Sequence, residues 1–432
     1  MKTNIFSLLL FVSVVTLKAQ QASSNLSSTK GFPAIIPLEK PQDRPLSASM
    51  ERLYDRWSPH EDRDNELYSN FKFTPLPNLG KSQHVSRRDP SKVIKVNGLY
   101  YVYYTCRKTA SEPVGVEGAT DVIPAYDWDL ADIWYATSTD GFVWEEKGIA
   151  IGRNPIKGGY GDRSATTTDI LMVNNKYYLY YQAFTGMMGN VDPADVTVAW
   201  ADSPEGPWTK LGRPVVARGA KGEWDDAAIH DPNLLVFKGQ IYLYYKGQNF
   251  QMRTPNAIKR AQGVAVANDP LGPFVKSMYN PICNSGHETN YFPFKDGIAA
   301  TVSIDGPEKN TVQFSKDGIH FEVASHIQMV PVSPGPFIPD AFNSNGDAKG
   351  FTWGLCHINA QGGGGSNYCF LARFDCDLST QVDVKAFKRN NIRFDEHTYF
   401  QKVLRLDGAL KKQATAVSKR ISSETSSAKL TN

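Results

Sequence analysis

Four carboxylates recur at one place in a repeating pattern. Asp89, Asp169, Asp231 and Glu288 each stand at the head of an apolar, aromatic-rich segment: Asp89-Pro90-Ser91-Lys92-Val93-Ile94, Thr168-Asp169-Ile170-Leu171-Met172-Val173, His230-Asp231-Pro232-Asn233-Leu234-Leu235 and Glu288-Thr289-Asn290-Tyr291-Phe292. Carboxylates brought close together push their pKa values apart, so that one holds a proton while another stays ionised. Glycosidic bond hydrolysis needs that division: one group protonates the leaving oxygen, the other acts on water or on the anomeric carbon. One Asp before Pro or Asn at a strand start usually only closes a turn. Several at the same repeat position point instead to a shared polar site, with Asp169, behind Thr166, Thr167 and Thr168, the member most open to a structural explanation.

His287 lies directly between Gly286 and Glu288. A lone His is more often structural than catalytic, yet beside a carboxylate its pKa is expected to rise, which would make it an acid near neutrality. Tyr126, Trp128, Tyr160 and Trp224 fall in long loops, where rings stack on sugar faces or cap the fold; about half are expected to face the site.

The elements that must carry these residues repeat from residue 85 onward. Each unit runs from the carboxylate into a strand, turns at a polar tip (Asn97-Gly98, Asn174-Asn175-Lys176, Lys238-Gly239, Asp296-Gly297) and returns through a second strand. Further pairs such as Asp132–Thr137 with Phe142–Trp144, and Val196–Ala201 with Pro207-Trp208, supply a third and fourth strand. Strands rich in Tyr, Val, Ile and Phe with Asn-Gly and Lys-Gly turns exclude a helical fold. Four short antiparallel strands per unit of roughly 50–80 residues describe the blade of a propeller. The fifth unit, from Pro336-Phe337-Ile338-Pro339-Asp340 to Tyr368-Cys369-Phe370-Leu371-Ala372, is the most degenerate. The expected fold is all-β, a five-bladed β-propeller over 85–405 with an N-terminal helical segment over 46–84. Innermost strands of a propeller line its channel, so equivalent positions converge on the axis.

The rest of the chain is consistent with an exported globular protein. Its 432 residues carry a formal charge of +3 and no basic run interleaved with aromatics, which argues against nucleic acid as a partner. Lys2, the apolar run Ile5 to Val15 and Leu17-Lys18-Ala19 read as a signal peptide over 1–20, too short to span a bilayer; no later stretch is long enough either. A periplasmic or secreted location follows. Residues 21–45 read as a flexible leader, Ser47 to Tyr54 as a short amphipathic helix lying on its own domain or reaching a second subunit, a closing strand near Asn391, and 406–432 as a tail. Cys106, Cys283, Cys356, Cys369 and Cys376 form no disulfide framework; a bridge among the last three is compatible with an oxidising compartment.

Three motifs, Ser86-Arg87-Arg88-Asp89-Pro90, Ile229-His230-Asp231-Pro232-Asn233 and Gly286-His287-Glu288-Thr289, resemble glycoside hydrolase family 117, and the likeness spans nearly all the mature chain. Members are exo-acting α-1,3-(3,6-anhydro)-L-galactosidases that release anhydrogalactose from the non-reducing end of neoagaro-oligosaccharides. The resemblance implies Asp89 as general base, Asp231 as the carboxylate that tunes the acid, Glu288 as third carboxylate, His287 as proton donor, and an inverting mechanism. It further implies substrate contacts from Trp128, Tyr126, Thr166, Thr167, Gln182 and His230, with a red-algal galactan oligosaccharide as substrate. A divalent cation near the propeller axis is implied too, without assigned ligands. Family dimers exchange a helix marked Ser-x-Ala-x-x-Arg; Ser47-Ala48-Ser49-Met50-Glu51-Arg52 carries Ser49 where Ala is usual, which leaves a homodimer expected. Ser164-Ala165-Thr166-Thr167-Thr168-Asp169 follows the family pattern only loosely, which leaves the accepted sugar open. The competing readings are a related five-bladed glycosidase acting on arabinan, xylan or fructan, and a carbohydrate-binding propeller without turnover.

Overall fold

The computed structural model describes residues 31–55, 66–189, 194–343, 346–359 and 368–388. The signal peptide, the start of the leader, the strand expected near Asn391 and the tail lie outside the described residues. Within them the chain is a five-bladed β-propeller.

Strand β1 (Lys72–Pro75) precedes the first blade, made of β2 (Val85–Arg88), β3 (Ile94–Val96), β4 (Leu99–Lys108), β5 (Asp132–Ser138) and β6 (Glu145–Ile151). The second holds β7 (Ser164–Val173), β8 (Lys176–Phe184), β9 (Ala194–Ala201) and β10 (Thr209–Lys210); the third β11 (Ala228–Phe237), β12 (Gln240–Gln248), β13 (Ala261–Ala267) and β14 (Val275–Lys276). The fourth holds β15 (Asn290–Lys295), β16 (Gly297–Val302), β17 (Thr311–Ser315) and β18 (Glu322–His326), and the fifth β19 (Gly335–Pro336), β20 (Ala348–Asn359) and β21 (Cys369–Ser379). Inner hairpins close on the predicted turns, where Asn97 and Gly98 (φ 50° and 83°) and Lys238 and Gly239 (φ 50° and 77°) supply the two positive dihedrals of a twist-matched two-residue turn.

The ring is closed by its N-terminus. β1 pairs antiparallel with β21, Lys72 opposite Asp375 and Pro75 opposite Ala372, and so becomes the outer strand of blade five. The segment 46–84 is therefore only partly helical, and one of its strands belongs to the propeller. Adding a strand from before the first blade to the last one covers an edge of β21 that would otherwise be open.

Neighbouring blades are held by a recurring contact. Tyr103 Oη donates to the carbonyl of Pro204 at 2.5 Å, Tyr180 to Pro270 at 2.5 Å and Tyr244 to Gly318 at 3.0 Å. In each case a fully buried Tyr of one blade's second strand satisfies its hydroxyl on an outer turn of the next. Asp169 extends this link toward the axis: it accepts from the backbone N–H of Lys92 (3.1 Å) and Leu234 (2.7 Å) and pairs with the Lys92 ammonium, tying blades one, two and three together.

Helix α1 (Ala48–Asp55) begins at Ser47, whose hydroxyl accepts the Met50 N–H at 3.3 Å, a serine N-cap. It lies on its own chain: Met50 is buried, Ser49 Oγ and Arg52 Nε reach Glu308 at 3.2 and 2.7 Å, and the Asn284 amide donates to the Ser49 carbonyl at 2.6 Å. All five cysteines are buried thiols, with no disulfide among the described residues, so the bridge considered for Cys356, Cys369 and Cys376 does not form here. No helix among the described residues is long and apolar enough to cross a membrane.

Candidate active site

Each blade brings one residue with a left-handed backbone to the axis. These are Asp89 (φ 50°), Thr167 (φ 29°), Asp231 (φ 50°), Glu288 (φ 60°) and Ser333 (φ 49°). In blades two and three they sit at bulges, where the pairing slips between Thr166 and Thr168 and between His230 and Asn233. A left-handed conformation costs a non-glycine residue roughly 1–2 kcal/mol, and bulges re-aim side chains beside active sites. Thr167, Asp231, Glu288 and Ser333 line one axial pocket with Pro90, Pro232 and Pro334, and Asp89 is joined to Glu288 through Arg88. Register therefore corrects the expected ring: blade two's left-handed position holds Thr167, while Asp169, two residues further on, lines the same pocket from within the inter-blade tie.

Asp89 is buried against a cation. Its Oδ2 accepts from Arg88 Nε at 2.9 Å and from Thr167 Oγ1 at 3.0 Å. His357 Nδ1, from blade five, lies 3.2 Å from Asp89 Oδ1 and 3.3 Å from its backbone N–H, and can serve only one of the two at a time. Burial opposes the charge, but the Arg88 guanidinium, with His357 behind it, more than offsets burial and holds this carboxyl far below the usual carboxylate range. Arg88 also donates from Nη2 to Glu288 Oε1 at 3.2 Å, so one guanidinium joins two of the expected catalytic carboxylates.

Asp231 has a separate partner. Lys246 Nζ stands 2.7 Å from its Oδ2, with both side chains buried. Burial again works against the charge, and Lys246 together with His287 and His230 outweighs it, so the Asp231 carboxyl is also depressed.

His287 Nε2 points toward Glu288 Oε1 at 3.8 Å, while Nδ1 faces Asp305 Oδ2 at 3.4 Å and Arg260 Nη1 at 3.1 Å. Arg260 is itself paired with Asp305. The expected rise in the His287 pKa is overturned: burial and the nearby Lys246 lower it, outweighing Glu288 and Asp305. An adjacent carboxylate raises a histidine only where it exceeds desolvation and the surrounding cations.

The expected substrate residues divide. Thr166 and Gln182 are cross-strand partners, both buried, and Thr166 Oγ1 and Gln182 Oε1 have no hydrogen-bond partner. Thr167 is bound to Asp89, and His230 is buried directly before Asp231 with its ring 5.9 Å from Phe184. Trp128 stands with the Arg88 guanidinium 5.1 Å from its ring centre and Tyr126 stacked on it at 4.8 Å, so both belong to the rim. Trp224 does not: it is buried in blade three, stacked 5.7 Å from Tyr245. Tyr160 is half-buried and packs against the cluster between blades one and two rather than the carboxylates.

Sequence reading missed Arg88, Lys246 and His357 as site residues. Lys246 and His357 had a signal: a cation or histidine inside an otherwise apolar strand, such as Leu243-Tyr244-Tyr245-Lys246, is buried only against a counter-charge or ligand, whereas Arg88 stands in the polar Val85-Ser86-Arg87-Arg88. The divalent cation implied by the fold family has a plausible seat. Asp89, Glu288 and His357 offer ligand atoms within 4.8 Å of one another, and Asp89 Oδ1 and Glu288 Oε2 are buried without hydrogen-bond partners. Two anionic oxygens and an imidazole suit such a cation.

The model of glycosyl hydrolases family 43 matches residues 131–262. Zg3597, a family 117 glycoside hydrolase produced by the marine bacterium Zobellia galactanivorans, is 48% identical, with 78% of this chain and 99% of that chain covered at a TM-score of 0.72. More distant are CoXyl43, a GH43 β-xylosidase/α-arabinofuranosidase from a compost microbial metagenome (16% identity, 70% and 94% covered, TM-score 0.46), and a GH43_1 enzyme from Xanthomonas citri complexed with xylose (16%, 70% and 88%, 0.45). No curated protein matches the chain.

Proposed function

We propose a function from one premise, that the chain belongs to glycoside hydrolase family 117. It is an exo-acting hydrolase of red-algal galactan oligosaccharides, cleaving the α-1,3 linkage of neoagaro-oligosaccharides to release 3,6-anhydro-L-galactose from the non-reducing end. The observation that carries this reading is the convergence of three carboxylates from blades one, three and four: Asp231 and Glu288 line one axial pocket to which all five blades contribute, and Asp89 is joined to Glu288 through Arg88. A pocket enclosed by a ring accepts a chain end more readily than a chain middle.

The chemistry assigned to the residues follows their charges. Asp89, held anionic by Arg88, is the general base that takes a proton from the attacking water. His287, with Nδ1 on Asp305, presents Nε2 toward the pocket as proton donor to the leaving oxygen. Asp231 and Lys246 set the field beside it, since both enter the balance of charges around His287 or its neighbour. Attack opposite the leaving group gives inversion. A divalent cation held by Asp89, Glu288 and His357 would supply positive charge beside the sugar oxygens. Thr166 and Gln182, whose buried polar atoms lack protein partners, are suited to sugar hydroxyls.

Export through residues 1–20 and pairing of two copies through the segment containing α1 complete the reading. Wild type and Asp89→Asn are to be incubated with neoagaro- and carrageenan-derived oligosaccharides and with aryl xylosides and arabinofuranosides, and products weighed by mass spectrometry. Release of an anhydro sugar by wild type alone is expected. Product only from xylosides or arabinofuranosides, or bound but intact oligosaccharide, sinks the substrate assignment.

A further inference from the structure

Arg88 joins two of the site's carboxylates and the loop that carries Trp128. It is the last residue of β2, its side chain is only 13% exposed, and it donates to Asp89 Oδ2 at 2.9 Å and Glu288 Oε1 at 3.2 Å. Its remaining amino group, Nη1, faces Asp127 Oδ2 at 3.5 Å, and the guanidinium lies against Trp128. Asp127 is fixed in turn: Ser86 Oγ donates to its Oδ2 at 2.9 Å, and Arg107 donates to its Oδ1 at 3.3 Å and its carbonyl at 2.9 Å. The fork is thus anchored on the side away from the pocket and aimed on the other. A planar guanidinium with five N–H donors in fixed directions can do this; a lysine ammonium at the end of a flexible stem cannot.

The geometry points to Arg88 as the positioning residue of the reaction, which fixes the orientations of Asp89 and Glu288 relative to each other and to the aromatic rim. The inference rests on the hydrolase reading, because its rate consequence needs turnover. Misplacing a catalytic group by about 1 Å costs on the order of 100-fold in rate. Arg88→Ala and Arg88→Lys are therefore both expected to lose about 100-fold in kcat, with KM changed less than about five-fold. Guanidinium ion added to Arg88→Ala should restore at least about ten-fold of the rate, saturably, where sodium at equal ionic strength does not.

Rates are to be measured on whichever oligosaccharide wild type cleaves, beside crystal structures of wild type and Arg88→Ala. Rotated Asp89 and Glu288 side chains in the variant support the assignment even if wild type cleaves nothing offered, a result that would count against the substrate reading alone. Unmoved carboxylates, a near-normal kcat in Arg88→Lys, or a folded Arg88→Ala that guanidinium does not rescue would each overturn it.

Discussion

Lys246 Nζ lies 2.7 Å from Asp231 Oδ2, and neither side chain is more than 8% exposed. The pair stands where β11 and β12 meet beside the bulge at Asp231, with Lys246 opposite His230 in register. A lysine there interrupts a run of buried aromatics, so its place is set by the carboxylate rather than by packing. Removing one partner of a buried ion pair leaves an uncompensated charge, which costs about 3–5 kcal/mol.

Lys246→Met is accordingly expected to lower stability by about 3 kcal/mol or more, read from the midpoint of urea unfolding, since Met keeps the volume and removes the charge. Adding Asp231→Leu should recover much of that loss, because two apolar side chains leave no buried charge. Equal midpoints for wild type and Lys246→Met would show that the pair does not stabilise the fold.

The pH dependence of turnover should carry the signature of His287. A proton donor works while protonated, so the rate falls as pH rises through its pKa. Burial and Lys246 place that pKa below the ordinary 6.5. Asp89 stays ionised down to strongly acid pH because Arg88 holds its carboxyl low. The descending limb of kcat/KM is therefore expected below pH 6.5, and His287→Ala should remove the limb and lower turnover by about 100-fold. A rate that stays level from pH 5 to 8 excludes His287 as the donor.

Much of this site was legible before the fold was seen, and the misses have physical causes. Asp89 and Asp231 could be aligned because each begins its blade with Asp-Pro, and Glu288 rested more on the family motif Gly286-His287-Glu288-Thr289; all three have left-handed backbones. Asp169 was misaligned because the axial position of blade two holds an uncharged residue, Thr167, so that the next carboxylate along the strand stands out in its place. His357 and Lys246 lay hidden inside strands, where a polar residue looks like a lapse in pattern until its partner, far away in sequence, is known. The direction of the His287 shift depends on Lys246 and on burial, and neither is a property of its sequence neighbours. Lys72–Pro75 is too short and mixed to stand out as a strand, and its pairing with β21 is a long-range choice.

The inter-blade tyrosines offer a test of the fold itself. Tyr180 is buried and donates to the Pro270 carbonyl of the next blade. Tyr180→Phe keeps the ring and leaves that carbonyl without this donor, which should cost about 1–2 kcal/mol. Tyr103→Phe is expected to match it, because the Pro204 contact is the same device one blade earlier. The double variant, with its sites on different blade junctions, should show the sum within about 0.5 kcal/mol. Thermal or urea unfolding reads all three; a neutral Tyr180→Phe would mean that the contact serves only to fill space.

Glu308 decides whether α1 has a specific seat. Its buried carboxylate receives Arg52 Nε at 2.7 Å, Ser49 Oγ at 3.2 Å and Gln313 Nε2 at 2.9 Å, while Asn284 holds the Ser49 backbone. The seat lies on the propeller's own blade four, and a helix exchanged between two copies would use the same contacts in trans. Glu308→Ala removes the acceptor of four hydrogen bonds, two from Arg52 and one each from Ser49 and Gln313, and should weaken docking by about 2 kcal/mol or more. In the monomer this appears as faster proteolysis at the N-terminal segment with the propeller intact. If two copies pair through α1, light scattering after size exclusion should show the dimer of Glu308→Ala dissociating at protein concentrations where wild type stays paired. A dimer of unchanged affinity would place the interface elsewhere, and unchanged proteolysis would show that Met50 and its apolar neighbours hold the helix without Glu308.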